Sequence, residues 1–268
     1  MKTRIAIALA FGAAFVFSAA APAWSAHHEQ DVQDQGADVL ALYYADRLAA
    51  PERLDADKAK DESRKPAEVF AKIGLKPDQV VIDLGTGRGY YAENFARVTG
   101  ATVYAVNTPE VVEKFPQVST DMAARLDKLP YGNIRHEIMA LAALPSAWQA
   151  DVAFIGMYYH DVASDFFSTG TAAEAVNAAV FNALKPGGLY VIEDHIAPAG
   201  SGVETGSTTH RIDPVIIREQ VSAAGFELVE ENFDLFANPG DPLTISVFDE
   251  SIRGKTARVL YIFRKPAN

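Results

Sequence analysis

The sequence predicts a doubly wound α/β domain built on a mostly parallel sheet. Three observations carry this: short apolar runs alternate with segments of helical spacing, the first run ends in a loop with glycine at every second position, and a Lys-Pro-Gly-Gly turn leads into a later apolar run. Strand–helix alternation is the pattern of a parallel sheet covered on both faces, and ligands of such sheets lie beyond the carboxyl ends of the strands.

Taken in order, Met1 to Ala26 has the build of an export signal, with Lys2 and Arg4, an apolar Ile5 to Phe17, then small residues. Ala21-Pro22-Ala23 matches the cleavage pattern, so residues 1–23 are expected to leave. The apolar core is short for a membrane span, so no stable anchor is expected after cleavage, and the location is expected to be periplasmic or secreted. Residues 24–38 read as a flexible polar arm, in which His27 and His28 are solvent-exposed tail residues. One domain is expected over 39–268, opened by a helical extension over 39–74. Val39 to Ala49 has helical spacing, Arg53 to Lys65 is dense in charge, and Pro66 starts a helix through Ile73, as proline favours the first turn. Strands are expected at Val80–Leu84, Thr102–Val106, Asn133–Ile138, Asp151–Met157 and Leu189–Glu193, with helices at Tyr91–Val98, Ala172–Leu184 and Pro214–Ala224. Lys185 to Gly188 reads as the turn before the fifth strand, and Phe226–Glu230 and Arg258–Phe263 close the sheet.

Composition bounds the function. Hydrophobic residues make up 49% of the chain, enough for a large core and against general disorder. The formal net charge is -11, and loss of a leader carrying Lys2 and Arg4 leaves -13. An acidic chain without a basic run suits neither nucleic acid nor an anionic membrane surface, and a neutral or cationic small-molecule substrate is expected instead. With no cysteine, disulfides, thiolate metal sites and thiol nucleophiles are excluded.

The loop Asp83-Leu84-Gly85-Thr86-Gly87-Arg88-Gly89 carries the most specific signal. A dinucleotide fingerprint would need its third glycine at position 90, which is Tyr90. The spacing D-x-G-x-G-x-G instead resembles motif I of class I S-adenosylmethionine-dependent methyltransferases. Leu184 to Asp194 resembles the fifth-strand motif of that family, and Ala223 to Val229 the entry to its sixth strand. The resemblance covers roughly Pro66 to Lys265 and implies a Rossmann-like sheet of seven strands, the last antiparallel. More narrowly, the chain resembles a group of exported bacterial predicted methyltransferases, on Arg64 to Glu68, Tyr90-Tyr91, Tyr159-His160-Asp161, Asp194-His195, His210 to Asp213 and Ile252 to Thr256. The resemblance implies that Asp83, Gly85, Thr86, Gly87, Gly89 and Asn107 hold S-adenosyl-L-methionine. It also marks two departures: Asn107 stands where most members carry the acid that takes the ribose hydroxyls, and Ala140 stands where an acid near the adenine is expected, with Glu137 or another loop residue as a substitute.

Polar residues also cluster just past the strand ends: His160 and Asp161 after the fourth, Asp194 and His195 after the fifth, and His210 after a glycine-rich stretch, Ala199 to Gly206, that reads as a mobile rim loop. A histidine near neutral pH can take a proton from an acceptor, and an aspartate can orient it or bind a cation. These five are the candidate catalytic residues. Asp213 reads as the cap of the helix beginning at Pro214. Tyr90, Tyr91, Tyr158 and Tyr159 are candidates for an aromatic cation pocket. No spacing among the five matches a metal motif, so no metal is assigned, although their nitrogen and oxygen donors would suit zinc, manganese or magnesium. Three functions follow: methyl transfer to a small acceptor outside the cytoplasm, a non-catalytic periplasmic binding or scaffold module on the same fold, and a metal-assisted hydrolase.

Overall fold

Seven strands form a single sheet in the order β3-β2-β1-β4-β5-β7-β6. They are β1 Val81–Leu84, β2 Val103–Asn107, β3 Ile134–Ile138, β4 Ala150–Gly156, β5 Leu184–His195, β6 Glu227–Phe236 and β7 Arg258–Arg264. All pairs are parallel except those of β7, which runs antiparallel to both β5 and β6. The seven-stranded expectation therefore holds, with β7 inserted between β5 and β6. The computed structural model describes residues 39–128 and 132–267. The expected signal over 1–23 and arm over 24–38 lie outside the described residues. Among the described residues, no helix is long and apolar enough to cross a membrane.

Period-two alternation sorts the strands onto two cores. Val81, Val103, Val152 and Phe154 pack on one face, and Ile82, Leu84, Ala153, Ile155 and Ile192 on the other. Helices α1 (residues 39–48), α3 (Pro66–Ile73) and α4 (Tyr90–Thr99) cover the first face, while α8 (Ala173–Ala183) and α10 (Pro214–Ala223) cover the second. Burial on both faces explains why β1 reads as a continuous apolar run broken only by Asp83.

Two elements depart from expectation. Lys185–Gly188 is not a turn ahead of the strand; it bulges within β5, since Ala150 pairs with Leu184 and Val152 with Leu189. The sixth strand is longer than Phe226–Glu230 because it lies at the sheet edge, where alternating exposed acids hide its length. The charged stretch Arg53–Lys65 contains α2 (Asp55–Arg64), in line with the expected helical extension, and two of its acids, Asp57 and Asp61, turn inward. Asp57 is buried and pairs with Arg125 at 2.7 Å, while Asp61 accepts from Arg53 at 2.7 and 2.8 Å. Arg125 belongs to α6 (Gln117–Lys128), which follows the short α5 (Pro109–Lys114). It also meets Glu93 of α4, and Glu93 accepts from Arg97. This buried ion network fastens the extension over the start of α4.

The topology places the site. β1 and β4 are neighbours, so the chain leaves their carboxyl ends in opposite directions and opens a crevice there. Register aligns Leu84 with Val106 and Ile155, and Gly156 with Glu193. The residues just beyond those positions share one rim.

Candidate active site

The glycine loop turns from β1 into α4 with positive φ at Gly85 (66°), Gly87 (56°) and Gly89 (83°). Thr86 anchors it, donating its backbone N–H to Val106 at 3.0 Å and its hydroxyl to Asp83 at 2.6 Å. A Cβ at Gly85 would collide with the Tyr158 ring, so glycine is required there by approach as well as by φ. A Cβ on Gly89 would strike Met122 of α6, so glycine there also lets α6 approach the loop. Asn107 is 1% exposed and clasps the loop, accepting from Gly87 N–H at 3.0 Å and donating to Gly87 O at 3.0 Å. Its amide also meets His136 Nε2 at 3.1 Å. The Asn107 side chain is thus committed to holding the cradle in shape.

Asp83, Gly85, Thr86 and Gly87 line a cleft of about 480 Å³, and so do His160, Asp161, His195 and His210. Burial pushes the Asp83 carboxyl up to about 7, against the Thr86 hydroxyl, the Ala92 N–H and the Arg64 charge, which act the other way. Arg64 lies over the Tyr90 ring, 4.7 Å from its centroid, and Tyr91 donates its hydroxyl to Glu193 at 2.7 Å. Glu193 is fully buried and paired with Arg258. Tyr90 and Tyr91 therefore face the cleft as expected for an aromatic wall. Tyr159 does not: its hydroxyl is turned into the core, between Asn177 at 2.8 Å and Gln220 at 3.0 Å. Tyr158 lines a second chamber of about 120 Å³ with Thr108, Glu110, Ala140 and Leu141, and its ring stands against Gly85 at the border between chamber and cleft.

The five candidate catalytic residues converge, with divided roles. Asp194 is fully buried at the end of β5 and accepts three N–H groups: His160 N at 2.8 Å, His160 Nδ1 at 2.7 Å and His195 N at 2.7 Å. A carboxylate only accepts, so Nδ1 of His160 carries the proton and Nε2 points away from Asp194. Nε2 of His160 lies 3.2 Å from His210 Nδ1 and 3.3 Å from Asp161 Oδ1. His210 Nδ1 is 3.2 Å from Asp161 Oδ1. Burial pulls the His160 pKa down, but the Asp194 and Asp161 charges outweigh it and hold the imidazole above its ordinary value. His195 is pushed well below its ordinary value by burial and by neighbouring His160, Arg258, Arg211 and Arg64, so its ring is neutral near pH 7. Its Nδ1 lies 2.8 Å from the Thr256 hydroxyl.

Helix α7 (Tyr159–Ala163) carries His160 and Asp161, and α9 (Thr205–Thr209) brings His210 over them. The stretch expected to be a mobile rim loop is anchored instead. Gly206 packs on the His160 carbonyl, where a Cβ would not fit, and Gly200 N–H bonds Asp213 at 2.6 Å. Asp213 caps α10 as expected, accepting from Val215 N–H at 3.0 Å. Sequence reasoning gave no site role to Arg64, Glu193 or Glu110. Glu110 Oε2 is buried without a partner in the chamber that holds Ala140, a signal visible only in three dimensions.

No protein-family model matches the chain, and no curated protein does. Solved structures do. The [4+2]-cyclase SpnF superposes with a TM-score of 0.57 at 15% identity, over 77% of this chain and 81% of that one. A SAM dependent methyltransferase from Aquifex aeolicus gives 0.52 at 18% identity, over 77% and 95%. An S-adenosylmethionine dependent methyltransferase from Mesorhizobium loti gives 0.52 at 16% identity, over 76% and 98%. A cyclase stands among the methyltransferases, so the fold alone does not name the reaction. With seven strands in this order and these neighbours, the chain has the Rossmann-like fold of class I S-adenosylmethionine-dependent methyltransferases.

Proposed function

We propose that this protein transfers a methyl group from S-adenosylmethionine to a small acceptor outside the cytoplasm. The observation that carries the reading is that the glycine cradle and the histidine–aspartate cluster open into one cleft. The residues fit the cofactor's two ends. Asp83 offers a buried acid at the strand end for a charged amino group. The unpartnered Glu110 oxygen offers an acceptor in the chamber, while the Asn107 amide holds Gly87. When bound, S-adenosylmethionine supplies an electrophilic methyl group. The chain's part is to orient the acceptor in line with that group and to take its proton, since positioning accounts for much of the rate of such a displacement. His160, oriented by Asp194, and neutral His195 are the two imidazoles placed to receive a proton from an acceptor in the cleft.

A second reading, a binding module without turnover, draws on Tyr158, whose ring rests on Gly85 where a cofactor would cross from chamber to cleft. The test is label transfer. Wild-type protein given methyl-tritiated S-adenosylmethionine and a pooled extract of periplasmic small molecules is expected to label a product. His160→Ala and His195→Ala should abolish that labelling while leaving cofactor binding intact. Labelling unchanged in both variants refutes the assignment of the base, and binding without labelling by the wild type favours the second reading.

A further inference from the structure

We propose that His160, Asp161 and His210 form a binding site for a divalent transition-metal ion. Three donor atoms, His160 Nε2, His210 Nδ1 and Asp161 Oδ1, stand 3.2, 3.2 and 3.3 Å apart. An ion about 2.1 Å from each of its ligands holds neighbouring donors roughly 3.0 Å apart in an octahedral shell and roughly 3.4 Å apart in a tetrahedral one. The observed triangle falls between the two.

The hydrogen-bond inventory points the same way. His160 spends its Nδ1 proton on Asp194, so Nε2, when it carries no proton of its own, is a bare lone pair that faces a carboxylate oxygen at 3.3 Å. Two acceptors aimed at each other repel. One His210 proton is left to serve both, and a cation between the three atoms satisfies all of them at once. Asp194 supplies the outer contact that metal-bound histidines characteristically have, fixing the tautomer and the ring plane. It is itself fully buried and held by two further N–H groups, so it is an orienting group and not a ligand. Among the described residues the donors that lie mutually within 4.8 Å are those of His160, Asp161 and His210, without His195.

Two imidazoles and one carboxylate suit Zn²⁺, Mn²⁺, Fe²⁺ or Co²⁺ better than the hard ions Mg²⁺ and Ca²⁺. Three protein ligands leave positions open, and the cluster lines the cleft, so a ligand oxygen from the acceptor would complete the shell. This deepens the methyl-transfer reading by naming a hydroxyl-bearing acceptor, and it rests on that reading for the acceptor alone; with Nε2 of His160 on the ion and its Nδ1 proton on Asp194, the acceptor's proton goes to neutral His195. The rival occupant of the triangle is a proton, making His160 an imidazolium between Asp194 and Asp161.

The test is a Co²⁺ titration of the untagged full chain without cofactor, in a background carrying His27→Ala and His28→Ala. It is read by visible d–d absorption and calorimetry. One equivalent should bind with ligand-field bands. His210→Ala and Asp161→Asn should each weaken binding at least 100-fold, and Asp194→Asn by about 10- to 100-fold, the range for lost outer-shell partners. Circular dichroism of each variant establishes that the fold is kept, and His210→Gln serves if His210→Ala unfolds. No binding by the parent protein at millimolar Co²⁺ overturns the proposal in favour of the proton. Binding that these substitutions leave unchanged overturns it as adventitious. Because no cofactor is present, neither result bears on S-adenosylmethionine binding.

Discussion

Replacing Asp83 by asparagine isolates the cost of keeping an acid buried at the end of β1. The carboxyl is 2% exposed and is pushed from 3.8 to about 7, so the folded chain holds its proton more tightly than the unfolded one. The sign follows from proton counting: between these two values the native state binds the extra proton, and stability falls as pH rises. The contribution is fully present below pH 3.8 and is lost progressively until pH passes about 7. A shift of roughly three units at 1.36 kcal/mol each gives about 4 kcal/mol in all, of which about 3 kcal/mol falls between pH 5 and pH 8. The Asp83→Asn variant has no such titration. Urea denaturation of both proteins across that range removes every other titrating group by subtraction. The wild type should lose about 3 kcal/mol relative to Asp83→Asn on going from pH 5 to pH 8. A difference that is flat with pH refutes the reasoning, because it would mean that the buried acid ionises at its ordinary value. The same linkage predicts that a cationic ligand beside Asp83 binds more tightly above pH 7 and releases protons below it.

Gly85→Ala sets a Cβ against the Tyr158 ring at a φ of 66° and is expected to cost about 2–4 kcal/mol in thermal denaturation, with Gly85→Ala/Tyr158→Ala recovering the packing part and leaving only the backbone strain of about 1 kcal/mol. Asp213→Ala removes the α10 cap and a partner of Gly200 N–H, so urea denaturation should show a loss of about 1–2 kcal/mol, and no loss would deny the cap its role. Arg125→Ala leaves one oxygen each of Asp57 and Glu93 without its partner, Lys60 and Arg97 keeping the others, and should cost about 3 kcal/mol, with faster hydrogen exchange in Asp55–Arg64 before the sheet opens; uniform exchange would detach the network from the extension.

The legible parts of this fold were those where one physical demand dominates. Burial on both faces made β1, β4 and β5 apolar runs, and the left-handed turn into α4 demanded glycine, so both were written locally. Asp213 was legible because cap and Pro214 are adjacent in sequence. The edge strand β6 was not, since a strand paired on one side only tolerates charge on both faces. In the site, sequence placed His160, Asp161, Asp194, His195 and His210 on one rim but not their division of labour. That division depends on β5 turning Asp194 inward and on α9 carrying His210 across to α7. Asn107 read as a cofactor contact because the end of β2 is where such a contact sits, yet the partner its amide takes is Gly87, twenty residues earlier. Arg64 was read only as part of a resemblance and Glu193 only as a strand end, because ion pairing across 65 residues, as between Glu193 and Arg258, leaves no local spacing to read.

Whether the loop from Asp83 to Gly87 is a working cofactor cradle is decided by calorimetric titration of the wild-type chain with S-adenosylmethionine. One site per chain is expected, competed by S-adenosylhomocysteine and tighter at pH 8 than at pH 6, where Asp83 is protonated. Absence of heat up to millimolar ligand, with the protein folded, would contradict it.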